Sequence, residues 1–109
     1  MFGQPTPTAR RLMKERGISQ CEVQGCNNPA EEAHHCLYGK KGGKHPVPEL
    51  NMDENLQLVC RICHKHSGRA RSHENKVYFW NVQCDRYGRE HMIKWHDSLS
   101  LKVKEMEYA

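Results

Sequence analysis

Cys60-Arg61-Ile62-Cys63-His64 is the stretch on which the fold turns. Two cysteines two residues apart bring their sulfurs to one point and form half of a tetrahedral metal site. Cys21 and Cys26, with four residues between them, supply the other half. Gly25, directly before Cys26, permits the backbone twist such a knuckle needs. Four thiolates make a closed set, and soft sulfur favours zinc over magnesium or calcium. Cys21, Cys26, Cys60 and Cys63 are therefore expected to hold one structural zinc. Disulfides or an iron–sulfur cluster are the competing readings of the cysteine pattern.

The chain has 109 residues, which suits a single domain spanning 1–109. Mean hydropathy is −0.92 and hydrophobic residues make up 37%. So thin an apolar supply leaves room for a metal to contribute to stability. The formal charge of +4 is mildly basic and suits an anionic partner. The first residues show no apolar signal core, and no run is long enough to span a membrane. A cytoplasmic location, in a bacterial or phage-infected cell, is the expectation. There thiols stay reduced and paired cysteines read first as metal ligands.

From that framework the chain divides into three parts. Residues 1–19 carry a short basic helix, with Thr8 as its cap, Ala9 to Arg16 as its body and Gly17 as its stop. Arg10, Arg11, Lys14 and Arg16 would give it a basic face, solvated or turned to DNA. Residues 20–70 form the metal-bound core. Ala30 to Tyr38 reads as a strand, 39–48 as a basic glycine- and proline-rich loop, and Asn55 to Cys60 as a second strand paired with the first. A helix follows over 61–68. Residues 71–109 are helical: Ser72 caps a helix whose Val77, Trp80, Cys84 and Tyr87 recur at helical spacing, predicting a buried face. Gly88 breaks it, and a last helix presents Met92, Trp95 and Leu99. Cys84 reads as a buried apolar position and Cys36 as packed beneath the site.

Three histidines fall inside this framework: His34 and His35 on the first strand, and His64 just after Cys63. With Asn55 opening the second strand, the set Cys21, Cys26, His34, His35, Asn55, Cys60, Cys63 and His64 resembles the HNH endonuclease family, in its zinc-knuckle branch. The resemblance covers about residues 20–68. It implies a small α+β fold with a ββα-metal, treble-clef-like core, flanked here by an N-terminal helix and two C-terminal helices. It places His34 and His64 as ligands of one catalytic divalent metal and His35 as the general base. Asn55 takes the position that steadies the hairpin and helps orient that base. Many relatives carry a further ligand four residues beyond His64; here that position is Gly68. His45, His66, His73, His91 and His96 read as surface histidines.

The implied activity is metal-dependent hydrolysis of phosphodiesters in DNA, leaving 5′-phosphate and 3′-hydroxyl ends. Magnesium, manganese, nickel, cobalt and zinc are all admissible as the working ion. Arg61 and Lys65, four apart on one helix, and Lys40 and Lys41 in the loop are candidates for phosphate contacts. Adjacent strand residues point to opposite faces, so His34 and His35 share a phosphate only where the strand twists or ends. The rival readings are a zinc-knuckle module that binds nucleic acid without cutting, and a phage adaptor whose C-terminal helices dock on a partner protein.

Overall fold

The computed structural model describes residues 4–38 and 48–99. Lys40, Lys41 and the rest of the 39–47 loop, with His45, lie outside the described residues. So does the chain beyond Leu99. Within the described part the architecture is α+β: helix α1 (Pro7–Arg16), strand β1 (Glu32–His35), strand β2 (Leu56–Val59), and helices α2 (His73–Tyr87) and α3 (Arg89–Ser98). Short helical turns join them. No described helix is long and apolar enough to cross a membrane.

Helix α1 starts earlier than the sequence suggests. Its cap is Thr6, whose Oγ1 accepts from the Ala9 N–H at 3.2 Å, and Pro7 occupies the first helical position. Proline is preorganised for that position and has no N–H to lose there, so the helix begins two residues before Thr8 could cap it. Gly17 ends it with φ +68, a conformation natural to glycine. Ala9 and Leu12 bury against Ala30, Leu56 and Leu58, which fixes α1 across the sheet. Two of the four cations of the basic face are held in ion pairs: Arg11, which stays exposed, with Glu15 and Asp53, and the enclosed Arg16 with Glu22; Arg10 and Lys14 are exposed.

The two strands pair antiparallel, with Glu32 opposite Val59, Ala33 opposite Leu58, His34 opposite Gln57 and His35 opposite Leu56. The first strand is shorter than Ala30 to Tyr38. Past His35 the backbone turns away, and the Asn55 side chain takes over as its partner. The Asn55 Oδ1 accepts from the N–H groups of Leu37 and Tyr38 at 3.0 and 2.8 Å, while its Nδ2 donates to the carbonyls of Tyr38 and Leu50 at 2.8 Å each. A fully buried amide that meets four backbone groups replaces the ladder the strand loses.

Helices α2 and α3 pack together and, with Cys36, Leu37, Tyr38 and Leu50, enclose the largest apolar cluster around Phe79. Met92, Trp95 and Leu99 are buried, as their spacing predicts. For α2 the buried face differs from the expected one. Asn75, Phe79 and Gln83 point inward, Val77 is 48% exposed, and Trp80, Cys84 and Tyr87 are only half-buried. Two of the inward residues are amides with backbone tasks. Asn75 donates to the Ala70 carbonyl, and Gln83 to those of Asp53 and Glu54. An apolar-period reading passes over such positions because their burial is driven by polar satisfaction.

One ion network joins the whole. Glu22, in the first knuckle, accepts from Arg16 of α1 at 2.7 Å, from Arg86 of α2, and from the Leu58 N–H of β2 at 2.9 Å. The side chains of Arg16 and Glu22 are 2% and 6% exposed. Removing the charge at the centre strands two cations, one of them fully enclosed. Glu22→Ala is therefore expected to lower unfolding free energy by about 3–5 kcal/mol, read as a shift of the urea midpoint. A loss below 1 kcal/mol would show the network to be dispensable.

Candidate metal centres

The knuckle at Cys21–Cys26 closes through the Cys26 N–H on the Val23 carbonyl at 3.0 Å, with Gly25 at φ +80. Arg69 reaches back to the Gln24 carbonyl at 2.7 Å and clamps this turn to the segment after Cys63. The four sulfurs of Cys21, Cys26, Cys60 and Cys63 lie within 4.8 Å of one another. Cys26 and Cys60 sulfurs are 3.8 Å apart, far beyond a disulfide bond, and all six cysteines are free. Sulfurs on a tetrahedral zinc, with bonds of ~2.3 Å, sit about 3.8 Å from each other. The quartet can thus hold a metal ion and suits zinc.

The electrostatics suit a cation-binding cluster. Burial and the neighbouring sulfurs push the Cys63 thiol up to about 12, and burial pushes Cys21 up as well. For Cys60 burial is outweighed by donors, the Cys63 N–H at 3.4 Å and the Asn28 amide at 3.5 Å among them, which bring it down to about 7. N–H donors on one sulfur, with its neighbours reluctant to ionise, describe a cluster that a divalent ion would deprotonate outright.

The chain leaves Cys60 through a π-helical turn, Ile62–His66, closed by the Ser67 N–H on the Ile62 carbonyl at 2.7 Å. The sequence pattern predicts an ordinary helix over 61–68. The wider turn and the left-handed Gly68 (φ +73) replace it, so Gly68 serves as a stop. The turn presents His64 against β1. The His64 and His34 rings sit 4.8 Å apart, centre to centre. The Glu32 Oε1 accepts from His64 Nδ1–H at 2.9 Å, which leaves Nε2 as the lone-pair nitrogen. Lys65 and His64 lower the Glu32 carboxyl against the opposing push of its burial. The His34 ring donates to the Ala70 carbonyl, itself held by Asn75. Each ring is thus anchored through one nitrogen and keeps the other for a ligand bond, the arrangement metal-binding histidines adopt.

His35, the last residue of β1, faces the other way. With Glu32, Asn51 and His64 it lines a pocket of about 360 Å³ that also meets Thr8 and Arg11 of α1. The Asn51 Oδ1 accepts from His35 Nε2–H at 2.8 Å, so Nδ1 is the basic nitrogen. Asn51 has no place in the expected site, and only its position in the turn before β2 hints at it. Asn55 is expected to help orient the base; its amide instead bonds the backbone of Leu37, Tyr38 and Leu50. It grips the Leu50 carbonyl, next to Asn51. His34 is 5% exposed and is not among the residues that line the pocket; the His64 ring touches the His34 ring and lines the cavity.

Arg61 and Lys65 converge on acidic residues. Arg61 Nε lies 3.8 Å from both Glu31 and Glu32 carboxylates, and Lys65 Nζ lies 3.3 Å from Glu32. Of the remaining histidines, His66, His73 and His91 are exposed and His96 is half-buried. Among the described residues, the quartet is the sole group of three or more clustered ligand side chains. No protein-family model, curated protein or solved structure matches the chain.

Burial, with the neighbouring His64 and His35, depresses His34 from 6.5 to about 3. Between those values the unfolded chain binds a proton that the native one refuses. Stability contributed here is full above pH 6.5 and falls as pH drops towards 3, by about 1.4 kcal/mol per unit. In urea unfolding at pH 7, 6 and 5, the gap between wild type and His34→Gln should narrow by about half that slope between pH 7 and 6 and by nearly all of it between pH 6 and 5. A constant gap would contradict a neutral buried His34. Acid release of the sulfur-bound metal is common to both proteins and cancels.

Proposed function

We propose that this protein is a metal-dependent endonuclease that hydrolyses phosphodiester bonds in DNA, built on the ββα-metal plan of the HNH family. The observation that carries the reading is a shared cavity. An oriented His35, with a basic Nδ1, and an oriented His64, with a ligand-ready Nε2, line the same pocket, and the His34 ring touches His64. A buried structural histidine needs none of this. Two imidazoles fixed by separate acceptors in the lining of one cavity fit a base and a metal ligand.

His34 and His64 are the residues that would hold the catalytic ion, and their neutral nitrogens suit manganese, nickel, cobalt or zinc better than magnesium. Such an ion supplies Lewis-acid polarisation of the phosphate and of the departing 3′ oxygen. The chain's own part begins with His35. Its Nδ1 accepts a proton from water as the water oxygen attacks phosphorus and the bond to the 3′ oxygen breaks, the departing oxygen taking its proton from solvent water. Asn51 keeps the proton already on Nε2, so the ring acts with the correct tautomer. Glu32 does the same for His64 and tethers Lys65 and Arg61 near the phosphate path. The net charge of +4 favours approach of a polyanion.

The test is conversion of supercoiled plasmid with a panel of divalent metals, wild type against His35→Ala, with zinc content and DNA retention measured alongside. Nicking by wild type alone is expected. Equal conversion by both proteins, or none with either in any metal, removes the enzyme reading and leaves a binding module.

A further inference from the structure

A second cavity, of about 320 Å³, opens between α2 and α3 beside Leu37 and Tyr38. Its size falls in the range that holds small ligands. Its walls are unusual for a core defect. The His96 ring lies 5.7 Å from that of Tyr38, tilted, and 6.2 Å from that of Trp80, edge to face. Val77 and Ile93, at 48% and 42% exposure, line it from the two helices. Lys76 stands 5.7 Å from the Tyr38 ring centre. Among the described residues no carboxylate lines it.

We infer that this groove takes an unpaired nucleobase, flat against its aromatic walls, from the polynucleotide strand presented to His35. The strand's identity rests on the nuclease reading; the groove's chemistry does not. Three observations select a base over an apolar peptide side chain. Trp80 and His96, both half-buried, offer ring surface at the groove wall, on which any base can stack without sequence preference, while Tyr38, 5% exposed, backs them. The polar groups on the lining residues are cationic or neutral, as a phosphate-linked ligand requires. The chain segment that joins the two cavities is also basic. From His64 to Lys76 the chain carries Lys65, Arg69, Arg71 and Lys76 against the single acid Glu74. Tyr38 follows His35 by three residues, a reach of about 11 Å at most along the chain, so one strand can engage both places. A base lodged here would fix the backbone over the first cavity, adding affinity without reading sequence.

The experiment uses the full chain as His35→Ala, which cannot turn over substrate, titrated with deoxyadenosine monophosphate while tryptophan emission is followed. Trp95 is buried and does not line the groove, so the signal reads Trp80. Saturable quenching is expected, weakened about tenfold by Val77→Glu and unchanged by Asn81→Glu, which places the same charge on an exposed position of α2 outside the groove. Absence of saturable quenching, or equal quenching in Val77→Glu, overturns the inference. So does a dimer in sedimentation that Val77→Glu dissolves while the nucleotide has no effect, since the groove then belongs to a second copy of the chain. Quenching without plasmid nicking by the wild type would leave the groove standing and the nuclease reading fallen. Nicking without quenching would do the reverse.

Discussion

Cys60→Ala is expected to abolish cooperative folding, and a strong chelator should do the same to the wild type. The apolar cluster around the quartet contains, besides cysteines, only Val23, Val59 and Ala70. These are small side chains, and together they cannot hold residues 21–26 against 60–63. Structural zinc in small domains contributes on the order of 10–16 kcal/mol of apparent free energy, whereas whole domains are stable by roughly 5–15 kcal/mol. Losing the ion therefore exceeds the margin. Cys60 is the most consequential of the four because its sulfur also accepts from Cys63 N–H and Asn28. Circular dichroism and zinc content decide the matter. Wild type should carry one zinc, lose its unfolding transition on chelation and regain it on zinc return; Cys60→Ala should do none of these. A chelated wild type that unfolds with an unchanged midpoint would show that the apolar clusters suffice.

The sulfur framework was legible because it is local: pairs of cysteines a few residues apart can meet only in a tight turn. The stripe Met92, Trp95, Leu99 was legible for the same reason, since helical period alone carries it. What escaped were residues whose partners are distant. Asn51 meets His35 across 16 positions, and Glu32 meets His64 across 32. Neither residue type is distinctive at its place in the sequence. The inward face of α2 was misread because Asn75 and Gln83 are buried to satisfy carbonyls, a demand set by loops elsewhere in the chain. Strand alternation did forecast the split of His34 from His35. It could not show that His64, on its widened turn, would stand between them.

His35→Ala is expected to reduce plasmid nicking by about 10²–10⁴-fold, the range a positioned general base contributes, with zinc content unchanged. The residue closes β1 and is partly exposed, so its removal opens space at a cavity wall and disturbs no core cluster. Asn51→Ala separates orientation from proton transfer. It leaves the imidazole in place but frees its tautomer, so nicking should fall less than in His35→Ala, with its decline at low pH displaced from that of wild type. Asn55→Ala must behave differently. It unties Leu37, Tyr38 and Leu50 at once, and its first effect should be a lower unfolding midpoint. If Asn51→Ala matched His35→Ala in rate while keeping wild-type stability, the asparagine would be the acting group and His35 its support. If it matched wild type in rate and pH profile, the hydrogen bond at 2.8 Å would carry no share of the chemistry.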